Sequence, residues 1–167
     1  MEATTERKSS MHTLIDLYDW HTKLYKNAIE SISDKDAQNR LNTKANHVAW
    51  LAGSLVHERY ELAKFLNVNL KPTSHELFMD HKGIQDNVTY PSLTEFKKDW
   101  ETISPVLRNA LDNVSIEQLH GPDPYEMPGE NLTFLDSITA CTDRESYCIG
   151  QIGLWRRLLG YDAMKYE

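Results

Sequence analysis

Positive charge is scarce in this chain: 18 Lys and Arg stand against 25 Asp and Glu, giving a formal net charge of −7. Duplex nucleic acid is held mainly by Lys and Arg on its phosphates, so the balance disfavours a general DNA- or RNA-coating role. The same sign argues against an anionic membrane surface as the main partner. Cysteine is scarcer still. Cys141 and Cys148 lie seven residues apart in a helix-like segment, which separates their Cα atoms by roughly 10 Å, too far for a disulfide within that helix. Long apolar runs are absent; stretches such as Val48 to Gly53 fall far short of the ~20 residues of a membrane helix. The opening Met-Glu-Ala-Thr-Thr-Glu lacks the basic and apolar regions of a secretory signal. These absences together lead to the expectation of a cytoplasmic protein in a reducing compartment.

What is present is globular composition, 40% hydrophobic and 26% charged over 167 residues. That fits a single domain covering residues 1–167 with a core of its own. Four long segments carry the i, i+3, i+4 apolar spacing of amphipathic helices. The first runs from about Met11 to Ile32, with His21 on its stripe, and stops at Ser33-Asp34-Lys35-Asp36. The second runs from about Asn42 to Asn67 and is broken by Lys71-Pro72. Residues 73–91 read as irregular, with one helical turn near His75 to Asp80. The third opens on Ser92-Leu93-Thr94-Glu95, a capping box, and contains Pro105, which predicts a bend. The fourth runs from about Thr133 to Leu159 and closes on Gly160, a left-handed stop. Four such stripes bury themselves only against each other, so the fold class is all-α, a four-helix bundle with a long connection between helices two and three.

The fourth segment, Arg144-Glu145-Ser146-Tyr147-Cys148-Ile149-Gly150-Gln151-Ile152 through Arg156 to Gly160, resembles the closing helix of DinB-like (YfiT-like) proteins. That helix commonly reads H-x-x-x-H-x-G-Q-[IL]-x-x-x-R-x-x-x-G. The second segment, Asn46-His47-Val48-Ala49-Trp50-Leu51-Ala52-Gly53-Ser54-Leu55, is similar to the family's N-x-[IV]-x-W-x-x-G-H-L. The resemblance covers helix order and length over nearly the whole chain. It implies a two-plus-two bundle, a homodimer, and in many members a divalent metal on three histidines, with relatives among metal-dependent hydrolases and thiol transferases. The chain departs from the pattern at those three positions, which here are Ser54, Arg144 and Cys148. Arg carries only donors, Ser is a poor neutral ligand, and a single thiolate does not make a site. The expectation is therefore a family fold without its metal and without a cofactor.

Other residues of these segments also have the chemistry for a site. His57 shares a face with Ser54, and His47 lies two turns before it; a shifted metal set of His57 with Cys148 and Glu145 is outweighed by a surface or interface role for both histidines. Cys148, with Arg144 at i−4, could be a nucleophile, but a buried apolar cysteine is the commoner case. Arg144, if it faces the interior, needs a carboxylate or an anion beside it, with Glu58 and Glu145 as in-chain candidates. The four tryptophans read as core. The pocket expected from sequence is thus Ser54, Glu58, Arg144 and Cys148, binding a small anionic ligand without doing chemistry. The alternatives are a hydrolase or thiol transferase using a changed ligand set or Cys148, and an oligomeric scaffold.

Overall fold

The computed structural model describes residues 2–167, with side chains from Met11 onward. It is all-α: among the described residues there is no strand, only an isolated bridge between Pro122 and Thr133. Four long helices form the bundle: α1 (Glu2–Ile29), α3 (Val48–Phe65), α5 (Leu93–Asp112) and α7 (Phe134–Leu158). One-turn helices α2 (Asp34–Ala37), α4 (His75–Phe78) and α6 (Ile116–Leu119) sit in the connections, and a 3-10 turn follows α4 at Met79–His81.

Local chemistry accounts for the helix starts. Ser92 caps α5, its side chain accepting from the Glu95 amide while the Glu95 carboxylate accepts from the Ser92 amide. Helix α3 begins later than its periodicity predicts, at Val48 rather than near Asn42. Here His47 is the cap, its Nδ1 accepting from the Trp50 amide at 3.1 Å. Burial lowers the His47 pKa to about 4, so the ring is neutral and its Nδ1 lone pair stays available. Ser33 to Asp36 form not a plain solvated turn but the start of α2, capped by Ser33. Helix α5 continues through Pro105 without interruption, and Gly160 ends α7 at φ +88°.

Long-range contacts fix the helix directions. Arg108 reaches Asp19 and Lys26 reaches Glu101, so α5 runs against α1. Glu145 meets His21, while Arg156 donates to the Ala28 carbonyl, so α7 runs alongside α1 in the same direction. Trp155 donates to the Asn46 carbonyl at 2.9 Å while Arg59 meets Glu145, so α3 runs against α7. The path is up, down, down, up, with α1 beside α5 and α7, and α3 beside the same two. Parallel neighbours α3 and α5 cannot be joined by a tight turn, which is why residues 66–92 travel back along the bundle.

That return segment is pinned at two points in its first half. Thr73 donates through its amide and its hydroxyl to Asp99, at 2.8 and 3.1 Å. Phe78 is buried against α3 where Gly53 leaves room: a Cβ at Gly53 would collide with the Phe78 ring and sit 2.6 Å from Phe96. The Trp50-x-x-Gly53 element therefore provides a seat for the connection. The motif arginine Arg156 is likewise structural, its guanidinium binding the carbonyls of Ala28 and Glu30 at the end of α1.

Candidate functional site

A cavity of about 530 Å³ opens between α3 and α7. Trp50, Ser54, His57, Glu58 and Glu61 line it from successive turns of α3, and Arg144 lines it from α7. The return segment contributes Phe78 and Asp80 to Lys82, and the α6–α7 connection contributes Pro124 and Tyr125. Asp80 and His81 both hold positive φ, 56° and 55°, an uncommon backbone for residues other than glycine. Polar groups without a protein partner concentrate here. Trp50 and His57 both line the cavity, and Trp50 Nε1 and His57 Nδ1 are buried with no hydrogen-bond partner, whereas the Tyr125 hydroxyl meets Cys141. His75 Nδ1 is in the same condition, and its ring centroid lies 5.3 Å from that of His57. Such groups normally find a partner, so the cavity wall carries capacity for a polar guest.

Of the four residues expected to form a pocket, the structure brings three together. Arg144 donates to Glu58 Oε2 at 3.0 Å and to Ser54 Oγ at 3.2 Å. The fourth, Cys148, is buried in the core beneath and does not line the cavity. Burial pushes its thiol above the ordinary value, with Arg144 only partly opposing, so the thiolate that a nucleophile requires is disfavoured. Burial also raises the Glu58 carboxyl, to about 7, against the pull of Arg144.

Glu145, the other carboxylate considered for Arg144, belongs elsewhere. It pairs with Arg59, whose Nη2 donates to Glu145 Oε2 at 2.9 Å. Arg59 is the functional group that periodicity overlooked. Its side chain is 1% exposed, and its guanidinium lies between the Tyr18 and Trp100 rings, 3.8 and 3.5 Å from their centroids. It also donates to Thr22 and Ser104 at 2.8 and 2.7 Å. His21 Nδ1 completes the cluster, 3.3 Å from Glu145 Oε2. Each long helix thus sends a polar residue to the centre of the bundle: His21, Arg59, Ser104 and Glu145. The one sequence signal for this knot is that His21 falls on the otherwise apolar stripe of the first helix.

The cluster at Ser54, Arg144 and Cys148 does not fit a metal. A guanidinium occupies it, held by Glu58 and Ser54, and it offers donors rather than lone pairs. A different set has the right chemistry. His57, Glu61 and His75 each present a ligand atom, and the three atoms lie within 4.8 Å of one another. The alternative set of His57 with Cys148 and Glu145 does not assemble, because Glu145 is committed to Arg59. His47 is a helix cap. Both cysteines are free, and no helix is long and apolar enough to cross a membrane. No family model, no curated protein and no solved structure matches the chain.

Proposed function

We propose that this chain is a DinB-like bundle that binds a small anionic molecule in the α3–α7 cavity, with Arg144 as the anchor and no metal at the position of Ser54, Arg144 and Cys148. The observation that carries the reading is the state of Arg144. Its side chain is 36% exposed at the cavity wall, and its contacts to Glu58 and Ser54 leave guanidinium N–H groups directed by a fork suited to carboxylate or phosphate. The unpartnered Trp50 and His57 nitrogens in the same wall supply further polar contacts. The family assignment is supported by the Trp50-x-x-Gly53 and Gly150-Gln151-Ile152…Arg156…Gly160 elements and by the long α3–α5 connection. The buried, poorly acidic Cys148 weighs against thiol chemistry.

A thermal-shift screen of small carboxylates and phosphates tests the proposal. At least one should raise the melting temperature of the wild type and leave Arg144→Met unmoved. A panel with no stabilising anion, or an equal shift in the variant, overturns it. The same reading includes a homodimer. Trp20 on α1 and Tyr147, Leu154 and Leu158 on α7 are exposed, and aromatic side chains of this kind are enriched in interfaces. Light scattering should give twice the chain mass; a monomer at micromolar concentration contradicts it.

A further inference from the structure

One turn along α3 from Ser54 and Glu58, a second group of side chains faces the return segment. We infer that His57, Glu61 and His75 bind a single transition-metal dication, zinc being the first candidate, with an open coordination position facing the cavity. His57 and Glu61 are four residues apart on α3, so they stack on one face of the helix, and both line the cavity. His75 comes from the other side, as the first residue of α4. Its place is set by rigid neighbours: Thr73 is bound twice to Asp99, and Phe78 is seated over Gly53. The three ligand atoms lie within 4.8 Å of one another, and modest side-chain rotation brings them to the roughly 3.4 Å that separates ligand atoms each about 2.0–2.2 Å from one tetrahedral zinc.

The groups are also uncommitted. Nδ1 of each imidazole is buried without a partner, and the ion pair of Glu61 with Lys64 is loose, at 3.8 Å. Two imidazoles and a carboxylate form the N and O donor set that zinc and its first-row neighbours accept. Three protein ligands with a fourth position free is the arrangement of a metal that takes water or a guest, unlike the closed four-ligand structural site. The cavity that His57 and Glu61 line is also lined by Glu58 and Arg144, so a guest on that fourth position would lie near both. The inference does not depend on anion binding at Arg144.

The test uses the full chain, stripped with a chelator, dialysed, and titrated with zinc chloride by calorimetry. One equivalent should bind. Cobalt(II) in its place should give the intense visible absorption of a low-coordinate site. His75→Ala and Glu61→Gln should each weaken zinc binding by at least about 100-fold while the helical circular dichroism spectrum is retained. His120→Ala, an exposed histidine just past α6, should bind as the wild type does. His57→Ala tests the third ligand, and if its spectrum shows unfolding, the other two variants carry the result. Absence of a stoichiometric zinc in the wild type overturns the inference, as does zinc retained in both His75→Ala and Glu61→Gln. Zinc failure with an Arg144-dependent anion shift intact removes the metal alone. Zinc binding with no anion shift removes only the anchor.

Discussion

Two arginine–glutamate pairs join α3 to α7, and they are sequence neighbours: Glu58 and Arg59 on one helix, Arg144 and Glu145 on the other. The signs are crossed, so Arg59 takes Glu145 and Glu58 takes Arg144. One residue turns a helix by roughly 100°, which sends the first pair to the bundle centre and the second to the cavity wall. The inner pair is 1% and 5% exposed, wrapped by Tyr18, Trp100, Ser104, Thr22 and His21. The outer pair is 36% and 19% exposed. Burial tends to raise both carboxyls, but the outcomes differ. For Glu145, the Arg59 charge and the hydrogen bonds from Arg59 and His21 outweigh burial and hold the pKa below its ordinary value. For Glu58, burial prevails and the pKa stands at about 7. The same two residue types thus make a finished structural unit in one place and an unfinished, accessible one in the other.

The largest effect should come from breaking the inner pair. Arg59→Met strands the Glu145 carboxylate in the core, a loss of about 3–5 kcal/mol readable in urea unfolding. Arg59→Met with Glu145→Leu should recover most of that loss, because no charge is then left unpaired. A double variant as unstable as the single one would show that packing around the guanidinium, rather than charge, is what matters there.

Acid should act on the inner pair as well. The folded pKa of Glu145 lies below its unfolded value, so between the two the unfolded chain binds more protons. The contribution of Glu145 is therefore complete above the ordinary glutamate pKa of 4.5 and is lost as pH falls through the depressed folded value. Urea midpoints measured across that range should fall more steeply for the wild type than for the double variant. Parallel profiles would mean that the pair does not carry the acid sensitivity.

Gly53→Ala probes the frame of the outer site. The added methyl meets the Phe78 and Phe96 rings, and overpacking of this kind costs about 1–3 kcal/mol. It should also displace the return segment and weaken any guest in the cavity. Full stability in thermal unfolding would show that Phe78 has room to withdraw.

Arg144→Met should have the smallest effect on stability, under about 1 kcal/mol. The pair is partly exposed, and Glu58, with a pKa near 7 already, can take up a proton when its partner is removed. A loss as large as that of Arg59→Met would erase the contrast between the two pairs and make Arg144 a structural counter-ion.

Much of the fold was legible because periodicity and capping are local. The Ser92 box, the Gly160 stop and the turn at His75 to Asp80 come from side chains near their own backbone. The late start of α3 was not legible, since a histidine cap depends on the burial that keeps it neutral. At the site, Ser54, Glu58 and Arg144 could be placed together by helix spacing and family resemblance, and the structure gives Arg144 its contacts to the other two. His75 could not be joined to His57, because they meet through a long return segment whose path no spacing encodes. Arg59 was invisible for a different reason: a charged residue reads as surface until its partners from three other helices are known.

Helices α1 and α3 start at Glu2 and Val48, more than a turn from the Met11 and Asn42 that periodicity predicts. The sequence by itself determined that four amphipathic helices must share one core, that Ser92 opens the third and Gly160 closes the fourth, and that Ser54, Arg144 and Cys148 stand where the DinB-like pattern has histidine. Those properties follow from 3.6-residue periodicity, from backbone capping and from residue identity, all of which act over a few neighbours. Only the tertiary structure decided which arginine takes which glutamate, that Cys148 lies below the cavity rather than in it, and that His57, Glu61 and His75 converge. Each of these depends on helix rotation and on the route of residues 66–92, which are set when all four apolar stripes and the seat at Gly53 are satisfied at once.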